Sequence, residues 1–581
     1  MPAVPVCGQR GIGMDVKMTD WKTWRDGLVC LCKNKVYLFF LSLTAVFSYG
    51  FLVTHQTVGI DDTPYTYYFE EGLNAIVGRW FLYLTNKVCR IADFSPFITD
   101  LAGALILMAA AVVWCLLLYS VCKEKVSVWG YLFFGCIFIS CPLISEVYTY
   151  YLHNGVSVGY LCTGVSLCFF RAFQEGVQSG MKNKKKVFAA WAGTAVFLWI
   201  ALGCYESFMI VWLLGVLLVL LTEKYMGAGG GVFLSLAAAA VAAAAAILLR
   251  SVTISAVIGI FGLGEMRDEA VQRSVFEMLG WMREEGAFAE FAMAVKRAYV
   301  MYGVFAYAYY PITVFVFAAA VMTLFCLWRG IRQKSLWIPL LTAGSFLACF
   351  LLMVVEGKVT LYRAAQFLPI VCGYGAFLTV YAAEGVSRSR LLKGKAKETL
   401  SRACRGIAVF ALCAVLWNQC YDMNKWFYVD WLKYEAALDT MEQIAFELEK
   451  NFDTSKPVVF TGNYEIPRDI IADAYVWYGT DTFFKFKRWT DPVDEHLLDK
   501  FYRDYGIWIA QTPSLSVIEW GRYAFGDDSE LIRFFAMHGY ELIPYTAAEN
   551  YESLEVFSLE LPEFPREGSI VDMGDCIVVH F

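Results

Sequence analysis

LAGALILMAAAVVWCLLLYS, residues 101–120, decides the fold: twenty residues with no charged side chain and no proline. A helix needs about 20 such residues to cross the hydrocarbon layer of a bilayer. Working outward from it, ten further stretches read the same way, giving eleven candidate spans near 36–54, 100–121, 126–144, 155–171, 187–203, 207–222, 231–249, 303–328, 336–355, 366–383 and 404–420. The composition agrees. Of 581 residues, 58% are apolar, 17% aromatic and 18% charged, whereas soluble domains are nearer half apolar and a quarter charged. The charge is divided along the chain. From Tyr421 onward 13 Lys/Arg face 30 Asp/Glu, while the first 420 residues carry 35 against 24. That split reads as a membrane part followed by a water-facing domain, and it makes nucleic acid a poor partner for the acidic part.

Lys/Arg in short loops orients the spans. With the N-terminus inside (Lys17, Lys22, Arg25, Lys33, Lys35), every second loop is basic: Lys123 and Lys125, then Lys182 to Lys186, Lys224, Arg329 to Lys334, and Arg388 to Arg405. The intervening loops are poorer in these residues, and Glu146–Asn154 has none. Eleven crossings then place the tail outside. The expected division is a cytoplasmic or interfacial segment at 1–35, a transmembrane domain at 36–420 and an extracytoplasmic domain at 421–581. The first span reads as a retained anchor rather than a cleaved signal. Met14 and Met18 are alternative starts, with 1–13 as an unstructured leader. Trp21, Trp24, Leu28 and Val29 share one face of a possible interfacial helix. Mainly α architecture with a small α/β outer domain is the fold class expected. In the tail, a helix over 421–450, a strand at 457–462, helices near 492–504 and 528–538, and strands near 506–510, 554–558 and 576–580 are predicted.

The sequence offers no Walker A motif, no strand-linked GxGxxG and no Cys/His spacing suited to zinc. Most of the eighteen cysteines lie within predicted spans, where Cys behaves as a small apolar residue. No cofactor is expected; a divalent cation could join the carboxylates, but no spacing supports it. Chemistry is expected at the outer ends of the spans. Asp61 and Asp62 follow the first span, ahead of Thr63-Pro64, Tyr65, Tyr67, Tyr68 and Phe69. Thr-Pro after an Asp is also a helix start, so one carboxylate could simply be a cap. Alternatively, a carboxylate at the membrane edge beside a second acid is suited to act as a general base. Downstream stand Arg79, an outer cation that is either an interfacial anchor or an anion ligand, and Trp80. Glu206 lies in a very short turn after Tyr205, where a carboxylate near lipid needs a role or a partner. Glu146 and Tyr150 belong to another outer cluster that reads as either interfacial belt or sugar-stacking surface. Arg363 precedes the tenth span and could pair with Glu356 or fork onto a phosphate.

Asp61-Asp62 after the first span, Gly78-Arg79-Trp80 in the same loop, Gly203-Cys204-Tyr205-Glu206, Tyr362-Arg363 with Leu368-Pro369, and the C-terminal Pro565-Arg566-Glu567-Gly568-Ser569-Ile570 together resemble the type II Gtr glucosyltransferases. These are serotype-converting membrane enzymes of bacteria and their phages, similar to the wider GT-C class. Glu206 stands where the family tends to carry Gln. The resemblance implies a GT-C-like bacterial cell-membrane enzyme that uses a polyprenyl-phosphate sugar, with glucose suggested by the family name, and glycosylates a surface glycan or glycolipid on the outer face with inversion. By the same resemblance Asp61 or Asp62 is the catalytic base. From their places at the outer span ends, Arg79 and Arg363 are expected to meet the donor phosphate, and Trp80, Glu146, Tyr150, Tyr205 and Glu206 to contact substrate. The competing reading is a transporter or flippase of lipid-linked sugars. Transporters often show internal repeats and midplane charges; here no repeat is visible and the acids gather at outer span ends.

Overall fold

The computed structural model describes residues 21–57, 72–89, 96–148, 153–180, 183–227, 231–264, 279–299, 310–357, 364–388, 394–462, 529–546 and 550–581. Nineteen α-helices are used below. They are α1 Trp21–Cys32, α2 Lys35–Thr54, α3 Gly72–Ile76, α4 Trp80–Cys89, α5 Pro96–Cys122, α6 Val128–Ile139, α7 Leu143–Tyr148, α8 His153–Gln178, α9 Lys184–Cys204 and α10 Phe208–Tyr225. They continue as α11 Val232–Phe261, α12 Ala287–Tyr299, α13 Tyr310–Gln333, α14 Trp337–Cys349, α15 Leu351–Glu356, α16 Leu368–Arg388, α17 Gly394–Asn451, α18 Ser529–Met537 and α19 Tyr551–Ser558.

Among the described residues, nine helices are long and apolar enough to cross a membrane: α2, α5, α8, α9, α10, α11, α13, α16 and α17. The chain is a multi-pass membrane protein. The other two predicted spans, 126–144 and 336–355, take the form of shorter apolar helices. The first is interrupted at Ser140-Cys141-Pro142 between α6 and α7, and the second at Phe350 between α14 and α15. Proline at that interruption removes a backbone donor and blocks continuation of the helix. Helix starts follow local chemistry: the Asn34 side chain accepts from the Val36 and Tyr37 amides, both at 3.1 Å, and caps α2.

Two helices run beyond the span ends predicted for them. The seventh span does not end near 249; α11 runs to Phe261 and stops at Gly262, whose φ of +68° suits glycine. Residues 251–261 are apolar enough to continue the helix, so Arg250 lies inside it rather than beyond it. The last predicted span and the predicted tail helix over 421–450 join as one helix. Residues 407–451 contain neither Gly nor Pro, and α17 is one helix of 58 residues, about 87 Å long.

The helical core is tightly packed. α8 packs against α5 and α9, and α16 against α6, α13 and α17. Phe134, Phe138, Tyr160, Phe208 and Trp212 are fully buried there. Beyond α17 lies a four-stranded sheet of β1 Pro457–Thr461, β2 Ile543–Pro544, β3 Ile570–Asp572 and β4 Ile577–His580, in the order β2-β1-β4-β3. β1 runs parallel to β2 and β4, whereas β3 and β4 are antiparallel. One face of β1 and β4 (Val458, Phe460, Ile577, Val579) packs on Met441, Ile444 and Leu448 of α17 and Leu531, Phe534 and Phe535 of α18. Lys456 Nζ donates to both Asp572 oxygens at 2.8 and 2.6 Å, holding that carboxyl below its usual range and tying β3 to the start of β1.

The predicted strand at 554–558 is instead part of α19. Helical spacing brings Tyr551 and Leu554 onto the face of Val459, Cys576 and Val578, and Tyr551 Oη donates to the Phe460 carbonyl at 2.5 Å. The alternation in Leu554-Glu555-Val556-Phe557 was the weaker signal, because Val556 is exposed. β2 and β3 were not predicted; two and three residues are too short to carry a periodic pattern. The predicted elements near 492–504 and 506–510 lie outside the described residues.

Candidate active site

The site is built where α4, the end of α9 and the C-terminal half of α11 meet. α3 ends in a turn that the sequence specifies. The Arg79 amide donates to the Asn74 carbonyl at 2.7 Å and the Gly78 amide to the Ala75 carbonyl at 3.1 Å. Gly78 has φ +89°. This is a Schellman stop, in which a glycine takes the left-handed position and the next residue leaves the helix. Arg79 is that next residue, and α4 starts immediately after it.

Trp80 does not face lipid or solvent. It is 5% exposed, stacks on Trp199 of α9 with ring centres 4.5 Å apart, and joins Tyr83, Ile254, Val257 and Ile258 in a satellite core. Its place is in the packing behind Arg79, not on an open substrate surface. Gly203 makes this possible, since a Cβ there would come within 2.5 Å of the indole. Gly203→Ala is therefore expected to lower the thermal midpoint by the equivalent of about 1–3 kcal/mol and to reduce activity with it, checked by thermal unfolding in detergent. An unchanged midpoint would show that the indole can move aside freely.

After Cys204 the chain turns sharply. Tyr205 is extended, and Glu206 and Ser207 form the turn that leads into α10, with Ser207 at its N-cap. Arg79 approaches both. Its guanidinium carbon stands 4.2 Å from the centre of the Tyr205 ring, and Nη2 is 3.8 Å from Glu206 Oε1. That separation exceeds a hydrogen bond, and Glu206 is about half exposed. Such a pair contributes at most about 1 kcal/mol to stability. Its meaning is positional: a cation is held against an aromatic face with donor capacity to spare. Among the described residues, the buried Nε of Arg79 has no hydrogen-bond partner.

Arg250 is a component that sequence reasoning missed. Its Nε donates to the Leu202 carbonyl at 3.2 Å, and it interacts electrostatically with both Glu206 and Arg79. Leu202 is in the last turn of α9, where carbonyls lack intrahelical partners and a cation is favoured. The signal was present, since an arginine within an apolar helix is a functional candidate. It was lost because the span was ended one residue short. Among the described residues, two cations and one anion leave the cluster net positive by one.

The turn is fixed from beneath. Ser207 Oγ donates to Gln366 Oε1 at 2.8 Å, and Tyr160 Oη donates to the Gln366 carbonyl at 2.7 Å. Gln366 is 1% exposed, and its Nε2 has no partner among the described residues. The segment leading into α16 is thereby tied to the Tyr205-Glu206 turn. Gln366 too was missed; a lone Gln gives no sequence pattern.

Asp61, Asp62, Tyr150 and Arg363 lie outside the described residues, as does the side chain of Glu146, whose backbone belongs to α7. The approach to the first of these is described as far as Thr57. Thr57 Oγ1 donates to Asp430 Oδ2 at 2.6 Å, while His55 stacks on Phe51 at 3.9 Å and meets Trp431 edge-on at 5.2 Å. α17 thus holds the chain four residues before Asp61. Asp430 is 4% exposed. It escaped notice because the helix from 421 was read as the start of a separate acidic domain.

Within a bundle of apolar helices, the described cations and carboxylate thus meet where α4, α9 and α11 come together. The family follows: the model described as Glucosyl transferase GtrII matches residues 50–380, and the chain belongs to that family of membrane glycosyltransferases. The matched part holds Arg79, Tyr205, Glu206 and Arg250 but not the C-terminal sheet. None of the curated proteins compared with the chain matches it in sequence. Among solved structures the chain is similar to ArnT from Cupriavidus metallidurans bound to undecaprenyl phosphate, at 12% identity and a TM-score of 0.32, over 74% of this chain and 83% of that one.

Proposed function

We propose that the protein moves a sugar, glucose by its family, from a polyprenyl-phosphate donor to a surface glycan or glycolipid on the outer face of a bacterial cell membrane. The N-terminus is then cytoplasmic and the domain beyond 420 extracytoplasmic. The observation that carries the reading is the net-positive cluster of Arg79, Arg250 and Glu206 within the segment matched by the family.

The chemistry is an inverting displacement. Asp61 or Asp62 takes the proton of an acceptor hydroxyl, the acceptor oxygen attacks the anomeric carbon, and the bond from that carbon to the phosphate oxygen breaks. The lipid phosphate leaves carrying one more negative charge than the donor did. Arg79 and Arg250, joined by Arg363, stabilise that charge as it develops, which is where fixed cations lower a barrier most. Tyr205 orients Arg79 through its ring face. Glu206 balances the cations before donor arrives. Glu146 and Tyr150 contact substrate.

The test is transfer by purified protein in detergent from a panel of polyprenyl-phosphate sugars to extracted surface glycan. Labelled product is expected with one donor, and it is expected to persist in EDTA because arginines supply the positive charge. Movement of labelled lipid-linked sugar across vesicles without any transfer would replace this reading with a flippase.

A further inference from the structure

A cavity among the described residues lies beside the C-terminal sheet and shares no lining residue with the cluster above. It is a half-open groove of about 450 Å³ between the last turns of α17 and the 564–570 loop before and into β3. Ligand pockets commonly measure about 300–1,000 Å³. Gln443, Phe446, Glu447 and Asn451 form one wall, and Arg566 and Glu567 stand on the other. We infer that this groove binds a stretch of the acceptor several sugar units from the end that is glycosylated, and that the acceptor is a neutral polysaccharide chain. The inference rests on the transferase reading and adds to it the class and minimum length of the acceptor.

Three observations carry it. The first is the lining. Phe446 is 61% exposed on a helix whose other face is core, so it offers an aromatic surface ringed by amide, carboxylate and guanidinium groups. An aromatic face takes the C–H side of a sugar ring, while forked amides and carboxylates match vicinal hydroxyls. Lys450 Nζ lies 5.4 Å from the Phe446 ring centre, and Asn451 Nδ2 donates to Glu447 Oε2 at 2.5 Å, which orients that carboxylate. Glu447 and Glu567 are balanced by Arg566 and by Lys450 beside Phe446, so the groove carries no net charge to select an ionic polymer, which suits a neutral one.

The second is rigidity. Both ends of the 564–569 loop are hydrogen-bonded to the terminal strand: the Phe564 amide donates to the His580 carbonyl at 2.8 Å and the His580 amide to the Ser569 carbonyl at 2.9 Å. The groove is therefore preformed, and binding need not order it. The third is placement. Glu447 is 17 residues along the same helix from Asp430, which holds the chain leading to Asp61. At 1.5 Å per residue this is about 25 Å, within reach of a chain of several sugars and beyond reach of one.

The test uses end-labelled fragments of the cell's own neutral surface polysaccharide, graded in length by partial acid hydrolysis, with the full chain in nanodiscs. Phe446→Ala and Glu447→Gln are compared with the parent, their thermal midpoints confirming that both fold. Each is expected to raise KM for long fragments about tenfold, leaving kcat and the KM for the shortest fragment unchanged. Fluorescence anisotropy without donor is expected to show the same loss of affinity for long fragments. Equal length dependence in parent and variants, or no binding of any fragment by the parent, would overturn the inference. Binding that depends on Phe446 in a protein that transfers nothing would sink the transferase reading alone.

Discussion

Asparagine at position 61 or at position 62 is expected to slow sugar transfer by about 10²–10⁴-fold, the range lost when a general base is removed. Only one of the two variants should show it. Successive side chains diverge in helix and strand alike, so neighbouring carboxylates do not both reach one hydroxyl. The second acid precedes Thr63-Pro64, where a cap or helix-dipole role costs at most about 2 kcal/mol when lost. The discriminating measurement is transfer rate alongside donor affinity. Asn keeps the shape and removes the basicity, so the base variant should bind donor as before and turn it over slowly. If both variants transfer at the parental rate, the base lies elsewhere, and Glu206 or Glu146 becomes the candidate.

How much could be read from sequence follows from the range of each signal. Residues 101–120 fix a helix by themselves, because burial of twenty apolar residues in lipid needs no knowledge of neighbours; α5 contains all of them. Helix ends were harder. α11 continues through a second apolar stretch after Arg250 and α17 runs on past its apolar stretch, and nothing local stops them until Gly262 in one and the residues after Asn451 in the other. The small sheet was half legible: Pro457–Thr461 and Ile577–His580 have dense β-branched runs, while Tyr551–Ser558 was misread because its apolar pattern fits two periods over so short a span. At the site, Arg79, Tyr205 and Glu206 were each visible as charged or aromatic residues at span ends. Their meeting was not, since it depends on α4 packing against α9 through Trp80 and Trp199. Arg250 needed the correct helix end, and Gln366 needed Ser207 as its partner.

That pairing yields the second large effect. Arg79→Gln is expected to lower kcat by about 10²–10³-fold, the usual loss when one preorganised donor to a developing negative charge is removed. Arg79→Lys should recover only part, because an ammonium cannot fork onto two phosphate oxygens or lie flat on the Tyr205 ring. Stability should hardly change in either variant, since the pair with Glu206 is long and half exposed and contributes at most about 1 kcal/mol. This separates the functional role from a structural one. An anchor whose loss loosened the packing of α4 would lower the thermal midpoint together with the rate. Glu206→Gln sharpens the point. If Glu206 only offsets the two arginines, removing its charge leaves them more available to the donor, and donor KM should fall while kcat is kept. If Glu206 is instead the base, kcat should collapse as it does for the critical aspartate. The double variant, Arg79→Gln with Glu206→Gln, then decides between screening and direct action. Near-additive losses in rate would mean that Arg79 meets the phosphate by itself. A double variant restored toward the parent would mean that Arg79 serves only to hold Glu206, and the phosphate role would pass to Arg250 and Arg363.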